Sequence, residues 1–155
     1  MGDTRKPDRR NRRRAGNNII EFSFLMPWYV FLFVGTYDFG FFAYSLISVQ
    51  TAATVGATYC ATNSTTATDS TTACGYALNQ LINMPNVSAC AAGTTVTSSA
   101  PLAVSASSIT GASSPDGNPA TAVTVTYLTP QLIPIPVLLP GTLTITRVVK
   151  MRMRG

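Results

Sequence analysis

The chain has 155 residues, a formal net charge of +5, only 11% charged side chains and no histidine. The lack of histidine removes the commonest general base and the commonest metal ligand. Three widely spaced cysteines do not supply the four ligands of a structural zinc site. We therefore expect no catalytic residue, no metal and no cofactor, and a protein that is not an enzyme.

The first sixteen residues form a basic leader whose net charge equals that of the whole chain. They show no apolar periodicity, and we predict that residues 1–15 are disordered before any processing. Their charge abuts an apolar stretch instead of lying on a folded surface. Under the positive-inside rule this arrangement favours a cytoplasmic membrane anchor over a nucleic-acid interface. The leader contains seven cations and two acids: Arg5, Lys6, Arg9, Arg10, Arg12, Arg13 and Arg14, with Asp3 and Asp8.

A long apolar segment follows the leader. From Ile19 to Tyr37 it covers about 28 Å as a helix, close to the roughly 30 Å of hydrocarbon in a bilayer. It is too long for the apolar core of a secretory signal peptide, and no Ala-x-Ala site closes it cleanly. Apolar and small residues continue at helical spacing to Tyr59. We predict one helix from Ile19 to Tyr59, kinked at Pro27, with an amphipathic second half that carries an exported domain.

Two carboxylates mark the ends of this predicted span. Glu21 lies five residues after Gly16, and an acid deep in hydrocarbon costs about 2.5–3.5 kcal/mol. It can pair with the amine that cleavage after Gly16 would create at Asn17, in its own chain or in a neighbouring subunit, or it can simply stabilise the helix dipole. Asp38 is either an interfacial residue that reaches water or a docking contact for a partner helix. Gly40 permits close helix packing.

The remaining residues predict a small exported domain. Residues 61–73 are a low-complexity loop without core-forming residues, and a short helix over 76–83 ends at Met84–Pro85. A turn over 113–119 precedes a hairpin of strands 122–128 and 142–150 around a proline-rich connection over 130–141. Other candidate extended segments are 87–90, 94–97 and 104–109.

The expected fold class is thus α+β, with a long N-terminal transmembrane helix followed by a small domain of one short helix and an antiparallel sheet. We divide the chain into the leader 1–16, the helix 17–60 and the exported domain 61–155.

All three cysteines lie beyond the apolar segment. In an oxidising compartment one pair is expected to form a disulfide bond. A bond between Cys74 and Cys90 is favoured, and closing its loop stabilises the fold by about 3 kcal/mol. Cys60, at the end of the long helix, is an alternative partner for either one.

The N-terminal third resembles the TadE-like family, the minor pseudopilins of bacterial tight-adherence pilus systems. The resemblance implies cleavage after Gly16 by a prepilin peptidase, insertion in the inner membrane, and a role in pilus assembly. Its implied partners are pilin subunits, the pilus machinery, the peptidase and membrane lipid, with no nucleic acid. Asn17-Asn18 departs from the small or apolar pair of the family, and Asp38 replaces its commoner Glu. The matching segments are 12–16, Ile20-Glu21-Phe22, Pro27, Gly35, Asp38-Phe39-Gly40, Tyr44, Ala52-Ala53, Gly56-Ala57 and Tyr59, with a weaker likeness over 122–150.

These features predict a pilin-like subunit that acts by helix packing and protein contacts. Its N-terminus would be cytoplasmic and its C-terminal domain exported, and the subunit would either enter a surface pilus or stay at its base. The alternative is an uncleaved membrane-anchored module whose Thr-rich domain binds a partner outside the cytoplasm.

Overall fold

One long helix dominates the N-terminal part of the chain. The computed structural model describes residues 9–114, 116–130 and 142–154, with only the backbone for residues 9–18. Helix α1 spans Arg9–Cys60 and contains Pro27. The predicted helix is confirmed, but the expected disorder was wrong for residues 9–15, because arginine is a good helix former and a helix once nucleated propagates readily. Residues 1–8 of the leader lie outside the described residues.

The chain divides into two compact units, Met1–Gly40 and Phe41–Gly155, and the boundary falls inside α1. Within the second unit, one side of α1 is buried at three- and four-residue spacing, which is the pattern of an amphipathic helix. This side consists of small and medium residues: Val49, Ala52, Ala53, Gly56, Ala57 and Cys60.

Helix α2 spans Ser70–Leu81 and starts earlier than the sequence pattern predicted. Its N-cap is Asp69, whose Oδ1 accepts a hydrogen bond from the Thr72 N–H at 3.0 Å. A carboxylate at this position satisfies one of the unpaired amides of the first turn, so the helix begins within a Thr/Ser-rich segment. The predicted helix over 76–83 therefore had the right type but the wrong start, and it ends at Leu81, before Met84.

The segment before α2 contributes to the core, although it was predicted to be a loop without core residues. A 3-10 turn spans Thr66–Thr68, and its Ala67 is fully buried. The Thr121 hydroxyl donates to the Ala67 carbonyl at 2.9 Å, and the Ala106 N–H donates to the Ser70 hydroxyl at 2.9 Å. These bonds attach the segment to the sheet, so small residues are buried here without any large apolar side chain.

The sheet has four strands in the order β1-β2-β3-β4, with bounds Cys90–Ala92, Leu102–Ile109, Ala120–Leu128 and Thr144–Arg152. The pairs β2–β3 and β3–β4 are antiparallel, so the predicted hairpin of the last two strands is confirmed. The predicted strand 104–109 is confirmed as β2. The predicted connection over 130–141 lies outside the described residues except for Pro130.

The expectation of a purely antiparallel sheet was wrong, because β1 pairs with β2 in parallel. The chain leaves β1 at Gly93, where φ is +144°, a conformation that favours glycine. It then reverses through a turn in which the Thr97 N–H donates to the Ala100 carbonyl at 3.0 Å. The predicted extended segment 94–97 thus forms the return path to β2, and 87–90 contributes only Cys90 to a strand.

The core lies between one face of the sheet and the two helices. Adding a Cβ atom to Gly56 of α1 would bring it within 3.5 Å of the Val123 Cγ1 of β3, which shows how closely helix and sheet approach. Tyr127 is fully buried, and its hydroxyl donates to the Pro85 carbonyl at 2.7 Å. The sheet and α2 contribute mainly the following buried residues: Leu81, Leu102, Val104, Val123, Val125, Tyr127 and Ile145.

Candidate functional site

From Ile19 to Phe39, in the first of the two units, α1 exposes large apolar side chains in every direction. Phe24 is 86% exposed, Phe33 74% and Phe39 73%, and Trp28 is exposed as well. Soluble monomers rarely expose contiguous apolar patches above a few hundred Å². The described chain has one helix, Ile19–Cys60, that is long and apolar enough to cross a membrane. This surface requires lipid or protein to cover it.

The serine and threonine hydroxyls of this segment are hydrogen-bonded within the helix. The Ser23 hydroxyl donates to the Ile19 carbonyl at 2.9 Å, and the Thr36 hydroxyl donates to the Leu32 carbonyl at 2.8 Å. Pro27 has no N–H and therefore leaves the Ser23 carbonyl without its usual helical donor. The small polar side chains of this segment thus have internal partners, as an apolar surrounding demands.

The predicted processing residues all lie on α1. The Gly16–Asn17 peptide bond lies within the helix, whose backbone is continuous from Arg9. Glu21 is exposed one helical turn beyond Asn17. Backbone groups four residues apart lie on the same side of a helix, so a new amine at Asn17 would lie on the side that carries Glu21.

Asp38 is half-buried at the other end of the apolar segment. Its Oδ2 is shielded from solvent and accepts no hydrogen bond from any residue that the structure describes. A shielded carboxylate oxygen without a donor is costly, so it favours the docking interpretation over a purely interfacial one. Apart from the adjacent residues and the backbone of the helix itself, no described atom lies within 4 Å of a Cβ position at Gly35 or Gly40, so the helix surface is open at both glycines.

Cys74 and Cys90 form a disulfide bond with their Cα atoms 5.9 Å apart, as the sequence favoured. The alternative pairings through Cys60 were wrong, because Cys60 is a buried free cysteine. Burial, and after it the negative charge of Asp69, raise the pKa of the Cys60 thiol to about 11, so the thiol stays protonated and unreactive. Within the described ranges, no three His, Cys, Asp or Glu side chains are grouped to hold a metal ion.

The sequence patterns considered above did not predict a special role for the outward side of α1 in the second unit, Phe41–Gly155. Its threonine hydroxyls all bond to carbonyls one turn earlier: Thr51 to Ile47 at 3.0 Å, Thr54 to Gln50 at 2.9 Å and Thr58 to Thr54 at 2.8 Å. Tyr44 and Ile47 are exposed on this side, and the sequence has no charge between Asp38 and Asp69. Threonines at three- and four-residue spacing in an uncharged helix are the sequence signal that identifies such a surface.

Comparisons with protein-family models, with curated proteins and with solved structures found no match to this chain.

Proposed function

We propose that this chain is a pilin-like membrane subunit, similar to the TadE-like minor pseudopilins, that takes part in assembling a bacterial pilus. The observation that supports this proposal most is the largely exposed apolar segment of α1, a helix that continues into a small disulfide-bonded domain. A soluble enzyme rarely exposes such an apolar segment to water, whereas in a subunit held in a membrane or in a helix bundle the segment is covered by lipid or protein.

The membrane location follows from length and hydrophobicity. Nineteen residues from Ile19 to Tyr37 span about 28 Å as a helix, which matches the hydrocarbon thickness. Each large apolar side chain transferred from water to hydrocarbon contributes about 1.5–3 kcal/mol. The gain over the segment exceeds the cost of carrying Glu21 and Asp38 near its two ends.

The orientation follows from charge and redox chemistry. The basic leader lies on one side of the segment, and the next cation in the chain is Arg147. Under the positive-inside rule the leader stays in the cytoplasm and the domain is exported. The disulfide bond between Cys74 and Cys90 agrees with this arrangement, because such bonds persist in exported proteins and are rare in the cytosol.

The processing step assigns roles to three residues. Cleavage after Gly16 by a prepilin peptidase removes the basic leader and leaves Asn17 as the first residue. Glu21 then neutralises a new positive amine at the mouth of the span, in its own chain or in the subunit against which it docks. Asp38 would accept a hydrogen bond from a partner helix, and Gly40, two residues further along, would permit close helix packing. The subunit acts through these contacts and performs no chemistry of its own.

Mass spectrometry of the chain extracted from membranes tests the processing step. We expect a mature species that begins at Asn17, and its abundance should fall sharply in a Gly16→Leu variant. Glu21→Gln removes the charge with little change in shape, and it should impair incorporation into sheared surface fractions. Asp116→Asn, an exposed acid of the domain, is the matched control and should leave incorporation unchanged.

An uncleaved anchored module is the second candidate function. It is favoured by the unbroken helix through the Gly16–Asn17 bond and by the Asn17-Asn18 pair, which departs from the family pattern. An intact leader on every membrane-extracted molecule, together with absence from sheared fractions, would establish this alternative and reject the pilin-like subunit.

A further inference from the structure

The positive charge of the domain is concentrated at one place. From residue 41 onward the sequence has four cations, all between residues 147 and 154. Lys150 and Arg152 lie on the same face of β4, because side chains alternate along a strand, and Arg147 lies on the opposite face. The Lys150 ammonium donates to the Ser113 carbonyl at 3.1 Å, whereas Arg152 and Arg154 are exposed.

Arg152 and Arg154 line an open groove of about 520 Å³. Asn63 and Ser64 line it from the segment after α1, and Asn118 lines it from the turn before β3. Among the residues that the structure describes, neither guanidinium has an ion-pair partner, so two unpaired cations face one depression.

Backbone hydrogen bonds hold the three parts of the groove together. The Arg154 N–H donates to the Ala61 carbonyl at 2.9 Å, which attaches the end of the chain to the segment after α1. The Met153 N–H donates to the Pro119 carbonyl at 3.1 Å, which attaches it to the turn before β3. The groove is therefore a formed feature of the domain and not a loose basic tail.

The free polar groups in the groove are mainly donors. The Asn63 Oδ1 already accepts the Thr66 N–H at 2.9 Å, which leaves the Asn63 amide NH₂ as the available group. The two guanidinium groups can only donate, and the Ser64 hydroxyl can donate or accept. Asn118 donates from its Nδ2 to the Asp116 carbonyl at 3.4 Å, which leaves one amide hydrogen and the acceptor Oδ1. Asp116 lies two residues before Asn118 but does not line the groove. A site with surplus donors and positive charge selects an anion.

We infer that this groove binds the phosphate group of an anionic molecule. Guanidinium groups recognise oxyanions by paired hydrogen bonds, and a phosphate offers more acceptor oxygens than a carboxylate to donors that approach from three separate segments. The lining has no aromatic ring, so it offers no stacking surface for a base or a sugar. The phosphate belongs to free phosphate or to a phospholipid headgroup, and both present the same chemistry. This inference does not depend on the pilin-like function.

Arginine modification by phenylglyoxal, mapped residue by residue with mass spectrometry, tests the inference on the full-length chain. In maltoside micelles, inorganic phosphate should slow the initial rate of modification at Arg152 and Arg154 in a saturable way. Arg147, on the opposite face of the same strand, is the internal control and should react at an unchanged rate. Acetate at equal ionic strength should protect far less.

Phospholipid nanodiscs in phosphate-free buffer distinguish the two sources. Protection of Arg152 and Arg154 there identifies the headgroup as the ligand, whereas protection only in micelles with added phosphate identifies free phosphate. The inference is overturned if inorganic phosphate does not protect in micelles, if Arg147 is protected equally, or if acetate protects as well as phosphate.

Three substitutions sharpen the test. Arg152→Gln should raise the phosphate concentration that half-protects Arg154 by about tenfold or more, because a charged hydrogen-bond donor is lost. Asn63→Asp keeps the acceptor that Thr66 needs but adds a negative charge, and it should have an effect of similar size. Arg147→Gln is the matched control and should change nothing. Formation of the Cys74–Cys90 bond, measured by thiol titration, reports that each variant has folded.

Discussion

The two compact units of this chain are both rich in apolar side chains, but they use them in opposite ways. In the segment 19–39 the side chains are large and point outward on every side, so no described element covers them. In the domain, α1 turns alanines and Gly56 toward the sheet, close enough that a Cβ at Gly56 would contact Val123. Side-chain size thus distinguishes the part of α1 that requires lipid or a partner around it from the part that packs in a core.

The same comparison holds for polar groups. In α1 the threonine hydroxyls, and those of Ser23 and Ser45, bond to carbonyls one turn earlier, as Ser45 does to Phe41 at 2.9 Å. In the domain outside α1, polar groups join different elements, as in the bond from the Thr121 hydroxyl to the Ala67 carbonyl. These hydroxyls of α1 are satisfied by their own helix, whereas the rest of the domain relies on hydrogen bonds between distant segments, and substitutions can test this difference.

The largest effect on the stability of the domain is expected from removing the disulfide bond. Cys74→Ser combined with Cys90→Ser should lower the free energy of unfolding of the domain by about 3 kcal/mol, because the loop is no longer constrained in the unfolded chain. Thermal unfolding followed by circular dichroism in micelles measures it, and membrane association should not change. Cys60→Ala, which leaves the bond intact, is the control and should have a smaller effect. Equal stability of the bonded and unbonded proteins would contradict the prediction.

A charge in the apolar segment should weaken membrane association and leave the stability of the domain unchanged. Phe31→Arg should disfavour membrane insertion by about 2.5–3.5 kcal/mol, because an arginine near the centre of the span must be desolvated. Alkaline extraction of membranes measures the loss, with Phe31→Leu as the control of matched hydrophobicity. The melting temperature of the domain should stay the same. Full retention of the arginine variant in the membrane would show that the segment is covered by protein instead.

The smallest effect is expected from the cap of α2. The Thr72 N–H holds the pKa of the Asp69 carboxyl below its usual value, and the Tyr59 hydroxyl assists by donating to Oδ2 at 3.0 Å. Because the folded pKa lies below the unfolded pKa of about 3.9, the resulting stability is present above that pH. It is lost as the pH falls through the folded pKa.

Melting temperatures between about pH 2 and pH 6 measure this effect. Asp69→Asn keeps an acceptor for the Thr72 N–H but does not titrate, so it should flatten the acid limb of the curve slightly. Asp116→Asn serves as the charge-matched control. An acid limb that Asp69→Asn leaves unchanged would mean that other carboxyl groups cause it.

Much of the fold was predictable where the pattern was long and local. The helix through residues 19–59 followed from apolar spacing, the β3–β4 pair from alternating β-branched residues, and the Cys74–Cys90 bond from loop length. The start of α2 was missed because Asp69 caps a segment without large apolar residues. The parallel pairing of the three-residue strand β1 was missed because it has no distinct pattern of its own.

The features of the candidate site also divide into those that the sequence predicted and those that it did not. The positions of Gly16, Glu21 and Asp38 along the helix were readable from the sequence, because helical geometry relates residues that are near one another in the chain. The shielding of the Asp38 Oδ2 and the groove beside Arg152 were not, because they depend on which neighbours exclude solvent and on segments that are distant in the chain.

The amino-acid sequence by itself determined where the chain can meet a membrane, since hydrophobicity and helix length are properties of consecutive residues. It also determined the charge on either side of that segment. Only the tertiary structure decided that Ala67 enters a core, that β1 runs parallel to β2, and that Asn63 and Arg154 share a groove. These features depend on hydrogen bonds and close packing between segments that are distant in the chain. Whether such contacts outweigh the cost of desolvating the groups involved cannot be read from a local sequence pattern.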